Sequence, residues 1–226
     1  MSTLSPPIQQ LPVRRSGRWG WVVLAALAIG VGTPVAWNNG LRDALFPKNF
    51  GVVEPGRLYR SGQISHWQIR RVLTENHIAR IVAMSAHGGH PADLAAEQRA
   101  VADLGIRRDV FPLGGDGTGQ VREYVGAIAA VADAERAHQP VLVHCIAGAQ
   151  RTGGVIACYE LLVEHRPTAE VYAELRRFGH DPHDNPHLLD YLNGHMGEIA
   201  AGLVADGTID RVPSPLPVLR EDGTAE

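Results

Sequence analysis

Cysteine is nearly absent from this 226-residue chain: only Cys145 and Cys158 occur, which excludes a disulfide framework and a four-cysteine zinc site. An excess of either charge is missing too. The formal net charge is -3, and the basic residues are scattered apart from one cluster near the start, so nucleic acid is not an expected partner. No internal repeat is present, which sets aside repeat architectures. What remains, 45% hydrophobic and 20% charged residues, fits one globular domain with additions and is long enough to bury a core.

Charge is wholly missing from Trp19 to Leu41, whose centre reads WGWVVLAALAIGVGTPVAW. That length approaches the ~20 apolar residues a bilayer-spanning helix needs, and Trp19, Trp21 and Trp37 stand near its ends as interfacial aromatics do. Arg14, Arg15 and Arg18 precede it. The expectation is a single-pass anchor over 19–41, with residues 1–18 cytoplasmic and all that follows on the extracytoplasmic side. The alternative is a signal segment that is cleaved and leaves a secreted protein: Gly30, Gly32 and Ala36 are small, although Pro34 spoils the pattern before Ala36. Arg14-Arg15 also hints at twin-arginine export, with a poor match after it. A buried core helix is disfavoured because the stretch has no polar face.

From Phe46 onward short apolar runs alternate with amphipathic stretches, the pattern of an α/β domain, expected over 46–212. Strands are predicted within 56–63, 79–86, 106–113 and 141–144. Helices are predicted over 64–76, 92–104, 121–137, 152–164, 168–178 and 186–204, the last with Asn185 as N-cap and Pro186 at its first position. The fold class is therefore α/β, a mostly parallel sheet of four to five strands flanked by helices. The tail 213–226, with three prolines and several charges, is expected to be disordered.

Against that map VLVHCIAGAQRTGG (141–154) becomes strand, loop and helix. Such a loop aims free backbone N–H groups at whatever it encloses, and the helix dipole adds positive potential. Gly148 lets the backbone bend until successive amides of Ile146, Ala147, Gly148, Ala149, Gln150 and Arg151 converge, and the planar fork of Arg151 suits two phosphate oxygens. The same field favours the thiolate of Cys145, a nucleophile aimed at phosphorus. Thr152 can donate its hydroxyl to the sulfur, and His144 can hold the loop through its ring. Cys158, among Val155, Ile156 and Leu161, reads as core packing rather than as a second reactive thiol.

His144, Cys145, Arg151, Thr152 and Gly153 spell H-C-x5-R-[ST]-G, which resembles the signature of the cysteine-dependent protein tyrosine phosphatases, their compact dual-specificity branch in particular. EPGRLYRSGQ (54–63) is similar to the segment that opens the domain in atypical members, and the resemblance covers roughly Phe50 to Val204. It implies a phosphomonoester hydrolase working through a cysteinyl-phosphate, with no metal and no cofactor. It also implies a general acid on a mobile loop before the cysteine. Asp116 in PLGGDGTG fits that role, and Asp109 is the reserve.

The implied partner is a phosphorylated protein or a phosphoinositide. Phosphoinositide members often carry lysines in the loop, where this chain offers Ile146, Ala147, Ala149 and Gln150, so a highly charged substrate is the alternative rather than the first choice. A pseudophosphatase that only binds phosphate, and a rhodanese-like sulfurtransferase, are the other readings. The histidines of SAHGGHP (His87, His90) and GHDPHDNPH (His180, His183, His187) read as polar loops rather than metal ligands. SAHGGH nonetheless departs from the Leu-Arg type ending of that strand in relatives, which bears on the substrate pocket.

Overall fold

The structure, a computed structural model, describes residues 42–87 and 89–221. The expected anchor over 19–41 and the last five residues lie outside the described residues. Among the described residues no helix is long and apolar enough to cross a membrane.

After a helical turn at Arg42–Leu45, the chain forms β1 (Gly51–Glu54), β2 (Leu58–Ser61), α1 (Ile69–Glu75), β3 (Arg80–Ala83), α2 (Pro91–Leu104) and β4 (Arg107–Val110). It continues through α3 (Val121–Arg136), β5 (Val141–His144), α4 (Gln150–Leu162), α5 (Thr168–Arg177) and α6 (His187–Asp206). The five strands form one sheet in the order β1-β2-β5-β3-β4. Only the β1-β2 pair is antiparallel; β5 lies between β2 and β3, parallel to both.

Alternation of side chains along each strand makes two cores. Leu58, Val82, Val141 and Val143 face a large cluster with residues of α3, α4, α5 and α6. Tyr59, Ile81, Ala83 and Leu142 face a smaller one with residues of α1 and α2. Because both faces are covered, the central strands read as continuous apolar runs. Helix α4 is buried from Arg151 to Leu162, as a helix without a polar face must be. Close neighbours explain its glycine pair. A Cβ on Gly154 would stand 2.5 Å from Tyr124 Oη, and one on Gly153 would stand 2.8 Å from Leu175 Cδ2.

Several local expectations differ from what is found. Strand β1 was not anticipated; its pairing with β2 shifts register between Val52 and Glu54. The helix predicted from Ile64 begins only at Ile69. At α6 the N-cap is Pro186 and the helix starts at His187, with no capping side chain. Asn185 instead donates its amide N–H to the Asp116 carbonyl at 3.0 Å, and its side-chain oxygen accepts no capping bond. The tail also differs as far as residue 221. Leu219 is buried, and its backbone N–H and carbonyl pair with the Asn193 side chain at 2.9 and 2.8 Å.

Candidate active site

The sheet register sets the site. Ser61 pairs with His144 and His144 with Ala83, so β2, β5 and β3 end together and the β5–α4 loop leaves from between its neighbours. Crevices beyond the carboxyl ends of parallel strands are where α/β proteins bind ligands.

Cys145 follows the last residue of β5, and the backbone curls around its sulfur: the Gly148 N–H donates to Sγ at 3.1 Å. Gly148 holds φ 78°, the left-handed region that glycine enters without penalty. A Cβ there would lie 2.5 Å from Gly62 N and 2.6 Å from Ser61 C. Helix α4 opens at Gln150, two residues earlier than predicted, which puts Gln150 and Arg151 in its first turn. The Cys145 thiol is 2% exposed. Burial opposes its ionisation, but hydrogen bonds from Thr152 and Gly148 and the charge of Arg151 outweigh it and hold the thiol below its ordinary pKa. Arg151 is anchored by a bond from Nη1 to the Met84 carbonyl at 3.4 Å, and its Nε has no hydrogen-bond partner. The Thr152 hydroxyl, whose single proton serves one acceptor at a time, also lies 3.4 Å from the Ser61 carbonyl oxygen.

The loop is braced by residues to which sequence reasoning assigned no role. Arg60, 1% exposed, donates to the Gly148 carbonyl at 3.1 Å and to Glu174 Oε1 at 2.9 Å. Its guanidinium lies 3.9 Å from the centre of the Phe178 ring. Asn49 donates to the carbonyls of Ala147 and Phe178, at 3.4 and 2.9 Å. Gln63 ties the loop to SAHGGH: its N–H donates to the Ile146 carbonyl at 3.0 Å, and its side-chain oxygen accepts from the N–H groups of Gly89 and His90 at 2.7 and 2.8 Å. Two of these residues, Arg60 and Gln63, lie in the EPGRLYRSGQ segment, and that was the available signal.

His144 is 5% exposed. Its Nδ1 lies 3.3 Å from the Cys145 carbonyl oxygen, and its Nε2 lies 3.3 Å from Glu97 Oε2. Glu97, 2% exposed, also accepts from Arg108 Nε at 2.7 Å. Burial works against the imidazolium of His144, yet the Glu97 carboxylate raises its pKa. Burial likewise works against the Glu97 carboxylate, but His144 and Arg108 bring its pKa down to about 2.

Asp116 sits in a tight loop, where Oδ1 accepts from the Thr118 N–H at 3.0 Å and from its hydroxyl at 2.8 Å. These bonds hold the carboxyl below its usual range. The loop reaches both the helix after the cysteine and α6: a Cβ on Gly117 would meet Leu188 Cδ1 at 2.6 Å and the Gln150 backbone at 3.4 Å. Asp109 stands apart on β4, its carboxylate taken by Arg80 at 2.7 Å and by Arg107 at 3.1 Å.

His180 is buried with Nδ1 2.9 Å from Gln150 Oε1. Among the described residues no three His, Cys, Asp or Glu side chains are grouped to hold a metal. Cys158 is fully buried in α4, and burial pushes its thiol up to about 12.

No family model matches the chain, and no curated protein matches it. Solved structures do. TpbA of P. aeruginosa is 23% identical with a TM-score of 0.55, over 71% of this chain and 91% of that one; it has also been solved in complex with pTyr. The core catalytic domain of the PP-IP phosphatase SIW14 from S. cerevisiae is 21% identical with a TM-score of 0.55, over 75% and 96%. PTPMT1 in complex with PI(5)P is 14% identical with a TM-score of 0.53, over 70% and 98%. The chain therefore has the fold of the compact cysteine phosphatases.

Proposed function

We propose that the protein is a phosphomonoester hydrolase that works through a cysteinyl-phosphate. The observation that carries this reading is the Cys145 thiol, held below its ordinary pKa inside a loop that closes on it at Gly148 and Arg151. The Cys145 thiolate attacks phosphorus, and the bond from phosphorus to the ester oxygen breaks. Arg151 and the amides of the 146–151 loop carry the charge on the other phosphoryl oxygens. Asp116 gives a proton to the departing oxygen and later takes one from the water that releases phosphate. Both bonds from Thr118 fall on Oδ1, so Oδ2 is the oxygen that carries the proton and donates it.

A phosphate on a slender aryl stem, phosphotyrosine above all, is the favoured substrate class. Cys145 is 2% exposed, which favours a phosphate that reaches inward, and the loop offers Ala149 and Gln150 rather than lysine against extra phosphates. Phosphoinositides or inositol phosphates are the second class, because similar structures include a PP-IP phosphatase and a PI(5)P complex. For location we propose that 19–41 anchors the chain with the catalytic domain extracytoplasmic, and protease protection of membrane vesicles tests that orientation.

Hydrolysis of para-nitrophenyl phosphate by the full chain, in reductant and without added metal, tests the chemistry. Cys145→Ser is expected to abolish turnover, and Asp116→Ala to lower kcat by about 10²-fold or more. A folded protein that binds vanadate and never turns over would overturn the enzyme reading in favour of a phosphate-binding pseudophosphatase.

A further inference from the structure

Behind the reactive loop lies a row of charges that the mechanism above does not use: His144 at the end of β5 and Glu97 in α2, both buried, and the partly exposed Arg108 in β4. Each ring nitrogen of His144 faces an acceptor, Nδ1 the Cys145 carbonyl and Nε2 the Glu97 carboxylate, both at 3.3 Å. A neutral imidazole carries one N–H and would turn a bare lone pair toward the other acceptor; only the doubly protonated ring presents an N–H to both sides. The approach to Glu97 is not an aligned hydrogen bond, so the attraction there is one of charge. Glu97 is 2% exposed, and a carboxylate that deeply placed persists only beside positive partners.

We propose that Glu97 is a positioning residue that keeps His144 an imidazolium, and thereby gives the Cys145 thiolate a fixed counter-charge in the residue before it. Arg108 anchors Glu97 from the far side and is dispensable for that effect. Losing Glu97 would leave His144 neutral, and the thiolate would be less favoured without that charge next to it. Losing Arg108 would leave the Glu97–His144 pair standing. The inference deepens the reading of Cys145 as nucleophile and rests on it. Its test reads the thiol and the imidazole directly and holds even for a protein that never turns over substrate.

The test is the pH profile of iodoacetamide alkylation of the full-length protein. Cys158, fully buried with its thiol pushed up to about 12, stays silent, so the profile reports Cys145. Glu97→Gln is expected to move the midpoint up by about one pH unit, a ~tenfold loss of thiolate below it. Arg108→Gln is expected to leave it in place. Nitrogen-15 NMR of the wild-type ring at pH 7 should show both nitrogens protonated, with one N–H lost in Glu97→Gln. An unmoved midpoint in Glu97→Gln, an equal rise in both variants, or a neutral wild-type His144 would each overturn the proposal. The wild-type spectrum carries the test alone if Glu97→Gln does not fold.

Discussion

The carboxylate of Asp116 is held in its charged form chiefly by Thr118, with its own backbone N–H and the charge of His187 adding less, and the Thr118 hydroxyl can be removed alone. In its proposed role of general acid Asp116 works protonated, so activity would fall as pH rises through its pKa, and the bonds from Thr118 that depress this pKa push that limb toward acid. Thr118→Val deletes the 2.8 Å hydroxyl bond and leaves the backbone N–H. The descending limb of kcat/KM is expected to move to higher pH, by roughly half a unit to one unit, and activity at neutral pH is expected to rise. A limb that stays fixed would show that Asp116 is not the acid. Gly148 is a harsher site. Its φ of 78° and the 2.5 Å approach to Gly62 leave no room for a methyl group. Gly148→Ala is expected to cost at least ~1–3 kcal/mol in thermal unfolding and to lose most turnover, since the loop can accommodate the side chain only by opening around Cys145.

At the scale of elements, the strand, loop and helix at 141–154 were legible because apolar run, glycine and helix start follow one another in a single stretch. Neutral local sequence hid the rest. Strand β1 reads GVVE, too short to show alternation, and it exists because β2 offers it an edge. Asn185 before Pro186 carries a good helix-start signal, yet its amide is drawn to the Asp116 loop; tertiary contact overrode local preference. Glu97 looks like any charged helix residue until the fold sets it against His144. The Asn185 bond couples the start of α6 to the loop that carries Asp116. Asn185→Ala is expected to cost about 1 kcal/mol and to lower kcat several-fold while leaving the alkylation midpoint of Cys145 unchanged. If the midpoint moves too, the variant has disturbed the whole site rather than the acid's loop.

At the scale of the molecule, composition marks everything after Pro213 as solvent-exposed chain, but the large core extends into it. Leu219 is 2% exposed and belongs to the same cluster as Met196 and Leu203 of α6, and both backbone groups of Leu219 are satisfied by Asn193. Burying a leucine contributes about 2 kcal/mol and each of the two bonds about 1 kcal/mol, against the entropy of ordering the segment. A chain ending at Val212 is therefore expected to unfold roughly 5 °C lower, about 2 kcal/mol for a domain of this size. The residues that shape the reaction, by contrast, hang on the carboxyl ends of β2, β3 and β5 and on the loops at 114–119 and 178–187. Turnover of para-nitrophenyl phosphate at 25 °C is accordingly expected to survive the truncation. Loss of activity at a temperature where circular dichroism still reports the folded state would mean that α6 transmits the docking of Leu219 to the Asp116 loop, because Leu188 near its other end packs on Gly117.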